Sequence, residues 1–139
     1  MARVGYVIVC EDIFNDKEMI IKNPYNAITP YSVPGNFSFV LGFSLLELQI
    51  NVPYKLKIEI HDEEGDLVIP TQELDFKFSP PTDQQVQNTM NSGPVNSGSI
   101  NMDFNNIVFK KSGFHSFSVT VNNEHTNTIQ IPVRASQNI

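Results

Sequence analysis

Tyr54-Lys55-Leu56-Lys57-Ile58-Glu59-Ile60 alternates apolar and charged side chains without a break. A period of two puts successive side chains on opposite faces of an extended chain. Tyr54, Leu56, Ile58 and Ile60 therefore share one face, and Lys55, Lys57 and Glu59 the other. A strand with one dry and one wet face suits an antiparallel sheet covered on one side. Directly after it, Asp62-Glu63-Glu64-Gly65-Asp66 signals a turn, with Gly65 able to take a positive φ. Leu67 to Ile69 begin a return strand; Pro70 interrupts it, and Leu74, Phe76 and Phe78 resume the alternation.

Working outward, the same period recurs. Phe37, Phe39, Leu41 and Phe43 alternate with Ser38, Val40, Gly42 and Ser44. Val4 to Cys10 is an apolar run of strand length, and Glu18 to Ile21 opens an extended piece that continues, bent, through Ala27-Ile28. Pro24, Pro30 and Pro34 forbid helix between them. Downstream, Ile100-Met102-Phe104 and Ile107 to Phe109 read as strands. The chain then forms a hairpin: Phe117, Val119 and Val121 lead into Asn122-Asn123-Glu124-His125, and Ile129, Ile131 and Val133 return. Pro132 marks that last strand as an edge. Ser79 to Ser99 has no period; it reads as a long polar loop with room for one helical turn near Gln84 to Met90. No window shows a sustained helical stripe. About eight short strands with turns between them imply an all-β fold, a single antiparallel β-sandwich spanning residues 1–139 as one domain.

The 139 residues carry a net charge of −6 and include ten Phe, four Tyr and no Trp. A chain of this length buries enough surface to do without a disulfide or metal staple. The acidic balance disfavours nucleic acid and anionic membranes as partners. Basic residues are scattered, Lys110-Lys111 being the one adjacent pair. Cys10 is the single cysteine, which excludes an internal disulfide and cannot hold zinc unaided. The apolar run at the N-terminus breaks at Glu11-Asp12, too early for a signal peptide or a membrane span. A cytoplasmic location is the expectation.

The stretch Asp103-Phe104-Asn105-Asn106-Ile107-Val108-Phe109-Lys110-Lys111-Ser112-Gly113-Phe114-His115-Ser116-Phe117 resembles the closing strands of many immunoglobulin-like sandwiches. Val9-Cys10-Glu11-Asp12 followed by Lys17-Glu18-Met19-Ile20-Ile21, and the hairpin from Asp62 to Gly65, add to the likeness. Together they resemble a family of small bacterial and phage proteins without assigned function. The resemblance implies an immunoglobulin-like fold of bacterial or phage origin, and it brings no catalytic residues with it. Ser79 to Ser99 is longer than the resemblance would have it, and Asn15-Asp16-Lys17 replaces its usual glycine-containing turn.

The chemistry-bearing residues favour plain readings. The carboxylates of Asp62 to Asp66 are consecutive, without the spaced ligands of a calcium loop, so a solvated turn is expected. His61, His115 and His125 lack helical i,i+4 spacing and a cysteine partner; His115 shares its face with Phe117 and Val119 at the core's edge, and His125 falls in a turn. Cys10 reads as a small hydrophobe whose acidic neighbours disfavour a thiolate. No phosphate loop, nucleophile elbow or dinucleotide fingerprint is present. No catalytic residue, cofactor or metal site is therefore assigned. Tyr25 and Tyr31 each follow a proline, and stiff segments presenting Tyr suit recognition. With Val86, Met90 and Val95 they form the candidate interaction surface. The expected function is a non-enzymatic module with a protein partner. A small-ligand or carbohydrate-binding domain and a structural subunit of a phage particle are the alternatives.

Overall fold

The structure is a computed structural model that describes residues 2–15, 18–77 and 96–136. Eight strands follow one another: β1 (Arg3–Asn15), β2 (Met19–Pro24), β3 (Gly35–Leu48), β4 (Pro53–His61), β5 (Gln72–Lys77), β6 (Asn96–Phe109), β7 (Gly113–Val121) and β8 (His125–Val133). They make two four-stranded sheets, ordered β2-β1-β3-β6 and β5-β4-β7-β8, with every strand pairing antiparallel.

The face read from Tyr54, Leu56, Ile58 and Ile60 is the buried one, and Lys55, Lys57 and Glu59 point outward. In register with it, Leu56 pairs Val121, Ile58 pairs Val119 and Ile60 pairs Phe117. Phe39, Leu41, Phe43 and Leu45 of β3 face these residues from the other sheet in one core. Phe39 stacks on Phe104 of its own sheet at 5.1 Å and meets Phe117 of the opposite sheet edge-on at 5.7 Å. Offset and edge-on ring pairs add to simple area burial, so this trio joins the layers.

β6 begins at Asn96, four residues earlier than the pattern implied. Ser44 pairs Ser99, Leu45 pairs Gly98 and Leu48 pairs Asn96, so the polar loop drawn over 79–99 ends before its last four residues. Asn-Ser-Gly-Ser has poor strand propensity, but a long β3 offers it a partner, and pairing overrides propensity. The rest of that loop, with its helical turn and Val86, Met90 and Val95, lies outside the described residues.

β1 serves two layers. From Arg3 to Cys10 it pairs with β3, and from Cys10 to Asn15 with β2. Ile13 sits against Gly42 and shares a second apolar cluster with Cys10 and Val40, flanked by Ile8 and Ile21. Yet Gly42 pairs with Ile8, five residues before Ile13. The Tyr6 hydroxyl reaches Met19 Sδ at 3.4 Å, although Met19 pairs with Asn15. A straight strand would hold these groups tens of ångströms apart at about 3.3 Å per residue. β1 therefore bends after Cys10 and lays the β1–β2 ribbon back over the outer face of its own sheet. Gly42 makes room for it, since a Cβ there would collide with Ile13.

The edge of β8 is also closed. Ile28 bridges Val133 in parallel; its N–H donates to the Pro132 carbonyl at 2.8 Å, and the Arg134 N–H returns to Ile28 at 3.0 Å. The extended piece expected to run on through Ala27-Ile28 thus ends as a plug, with Ile28 fully buried. Pro132 sits on an edge strand, as its missing N–H requires.

Candidate binding surfaces

The two sequence-chosen tyrosines part company. Tyr25 packs edge-on against Phe37 at 5.3 Å beside the main core, and burial raises its hydroxyl pKa. Tyr31 is 70% exposed. Tyr25 thus covers core and Tyr31 faces water.

A different apolar surface comes from the folded-back ribbon. Ile13 and Ile21 are cross-strand partners turned toward the sheet; their neighbours Phe14 and Ile20, also partners, face the opposite way. Phe14 is 45% exposed, Ile20 50% and Met19, at the same end of the ribbon, 39%. The Lys22 ammonium and the Glu11 carboxylate meet at 2.7 Å farther along; each holds the other charged, lowering the Glu11 pKa and raising that of Lys22. The outer face of the second sheet contrasts sharply, since Lys55, Lys57, Glu59, Ser116, Ser118 and Thr120 project there. Sequence reading treated Glu18 to Ile21 only as a strand. The missed signal was Gly42, a glycine among bulky strand residues, which marks close approach of another segment.

The three histidines occupy distinct places. His125 opens β8 rather than lying in the turn, and its Nδ1 accepts the Val4 N–H at 3.0 Å. Asn127 of the same strand donates to the Gly5 carbonyl. Tyr6 N–H finds Ser44 Oγ at 2.9 Å, so side chains satisfy β1 where its register with β3 slips between Val4 and Val7. His115 is fully buried instead of resting at the core's edge. Its Nδ1 lies 2.9 Å from the Gly113 carbonyl, which fixes Nδ1 as the protonated nitrogen. Its Nε2 is buried without a protein partner. His61 pairs across β4–β7 with Ser116.

The acidic turn is tightly built. Asp62 Oδ1 accepts N–H bonds from Glu64 at 2.9 Å and Asp66 at 3.0 Å, and Gly65, at φ 90°, donates to the Asp62 carbonyl at 3.0 Å. The Asp66 N–H, then that of Glu64, and the Lys111 ammonium hold the Asp62 carboxyl below its usual range. Lys111 Nζ stands 3.0 Å from Glu64 and 3.7 Å from both Asp62 and Asp66, and the Glu64 bond leads in raising its pKa. Among the described residues no group of three His, Cys, Asp or Glu side chains could hold a metal ion. Cys10 is fully buried, and burial first, with the Asp12 charge behind it, raises its thiol pKa. That weakens it as a nucleophile.

The strand order defines the class. β1, β3 and β6 stand as strands A, B and E, and β5, β4, β7 and β8 as C′, C, F and G of an immunoglobulin-like sandwich. Phe39 and Phe117 join the two strands that a disulfide links in antibody domains. Within that class, the chain belongs to the "Family of unknown function (DUF6941)", whose pattern matches residues 5–134. It is similar to a solved immunoglobulin-like protein (PA1606) from Pseudomonas aeruginosa, at 13% identity over 96% of this chain and 97% of that one, with a TM-score of 0.40. No curated protein matches it. No helix among the described residues is long and apolar enough to cross a membrane.

Proposed function

We propose that this chain is a non-enzymatic protein-interaction domain whose contact surface is the outward side of the β1–β2 ribbon. The observation that carries the reading is the Phe14–Ile20 cross-strand pair, turned to solvent at 45% and 50% exposure with Met19 beside it. An apolar group on a raised element is the kind of surface protein partners cover, through aromatic anchors ringed by polar groups. The Lys22–Glu11 pair supplies part of such a rim. The ribbon is backed by its own small core of Cys10, Ile13 and Val40, so it meets a partner already shaped. The carbohydrate-binding alternative loses its footing because Tyr25, half of its proposed platform, is packed on Phe37. A buried, unpaired thiol at Cys10 suits a reducing bacterial or phage-infected cytoplasm, and we place the domain there.

The test compares immobilised wild-type chain with a Phe14→Ser, Ile20→Ser double variant against bacterial lysate. The wild type should retain a defined protein that the variant loses, while both melt at similar temperatures. Identical captures by the two would remove the ribbon from the function.

A further inference from the structure

A second surface lies at the end of the β4 turn. Asp62, Asp66, Leu67, Val68, Lys111 and His115 are among the residues lining a cavity of about 200 Å³ there, with Val108 and Lys110 completing it. Two observations meet in it. Three carboxylates, Asp62, Glu64 and Asp66, converge on one point, held by Lys111 with a single contact of hydrogen-bond length, the 3.0 Å one to Glu64. The buried His115 ring also faces this cavity. With Nδ1–H committed to Gly113, its Nε2 is a lone-pair acceptor with no protein donor. Leaving such an acceptor unpaired in a protein interior costs about 1–3 kcal/mol.

The charges decide what would fit. Asp62, Glu64 and Asp66 outnumber Lys110 and Lys111, so a cation is favoured even with the chain's own ammonium in place. A bare acceptor nitrogen calls for an N–H donor. Leu67, Val68 and Val108 offer apolar walls to a short stem. A metal ion fits less well, because no three ligating side chains gather among the described residues. We propose that this cavity binds a guanidinium or primary ammonium on an aliphatic stem, which takes the place of the Lys111 ammonium among the carboxylates and donates to His115 Nε2. Lys111 is then a built-in competitor. A guanidinium outcompetes it because a planar fork engages two carboxylates where an ammonium here reaches one.

The experiment titrates the full chain with n-propylguanidinium at fixed ionic strength and follows the imidazole nitrogens of His115 by NMR. The Nε2 resonance should move along a saturable curve. Tetramethylammonium, with equal charge and no N–H, should leave it in place. Lys111→Ala, an exposed position whose fold the same spectra check, should tighten propylguanidinium binding several-fold. Free arginine and a short end-capped peptide containing one arginine distinguish a small-molecule source of the group from a partner's side chain; binding of either supports the site. The proposal fails if propylguanidinium leaves Nε2 unmoved or if tetramethylammonium moves it equally. It also fails if Lys111→Ala weakens binding, or if zinc ion shifts Nε2 where propylguanidinium does not.

Discussion

Gly42 stands in the middle of β3, where a side chain would strengthen the strand, and its lack of one is what admits Ile13. Ile8 lies close by on the same side, so a methyl group added at 42 has nowhere to go without displacing the ribbon. Gly42→Ala should cost about 1–3 kcal/mol in urea unfolding, the usual penalty for overpacking. Ile13→Val alone should cost about 0.5–1.5 kcal/mol. The double variant should lose less than the two costs added together, because the shorter side chain vacates the space the methyl needs. Strict additivity would show that the two residues do not share that space. The main core offers a plainer contrast. Phe117 is fully buried between the sheets, and Phe117→Ala should cost about 3–5 kcal/mol. Lys57, on the opposite face, should lose about 0.5 kcal/mol or less on conversion to Ala.

Elements differ in how plainly they stand in the sequence. β4 is written out by its alternation, and so are β3, β7 and β8, because each has one face in the core and the other wet. The start of β6 is not, since Asn96 to Ser99 gain strand structure only from the β3 backbone opposite. The fold-back of β1 is hidden for a related reason: its second half is apolar on both sides, one turned to sheet and one to solvent, so no period reveals which layer it joins. The candidate surfaces were less legible still. Tyr25 and Tyr31 drew notice through their prolines, whereas Phe14, Ile20 and the Lys111–carboxylate cluster depend on contacts between segments far apart in the chain. One turn yields a pH prediction. The folded Asp62 carboxyl has a lowered pKa, chiefly because the Asp66 and Glu64 N–H groups bind its ionised form. Between that value and the ordinary carboxylate value near 3.9 the unfolded chain binds more protons. Stability should therefore rise with pH through this window and be lost as pH falls through the folded value. Asp62→Asn keeps an acceptor for both N–H groups but cannot titrate. The urea midpoint of Asp62→Asn should change less on acidification than that of the wild type. Equal acid slopes would mean other carboxyls govern the response.

At the scale of the molecule, two sheets share one large core, and a thin third layer, the ribbon, rests on a small core of its own. Opposed rings between β3 and β7 fasten the sheets, while Ile28 and the His125–Val4 bond seal the seam where the sheets meet. The ribbon has no comparable fastening, only Ile13, Ile21 and the Tyr6–Met19 contact. Since β1 runs through both layers, its amide protons are clocks set to two different openings. Those from Val7 to Cys10 can exchange with deuterium only when the sandwich itself gives way, whereas those from Ile13 to Asn15 need only the ribbon to lift. Deuterium uptake should therefore step upward within this single strand, just past Cys10, by orders of magnitude in rate. A covering partner on Phe14 and Ile20 would erase the step, so one strand's isotope profile reports both how firmly the outer layer is held and when it is occupied.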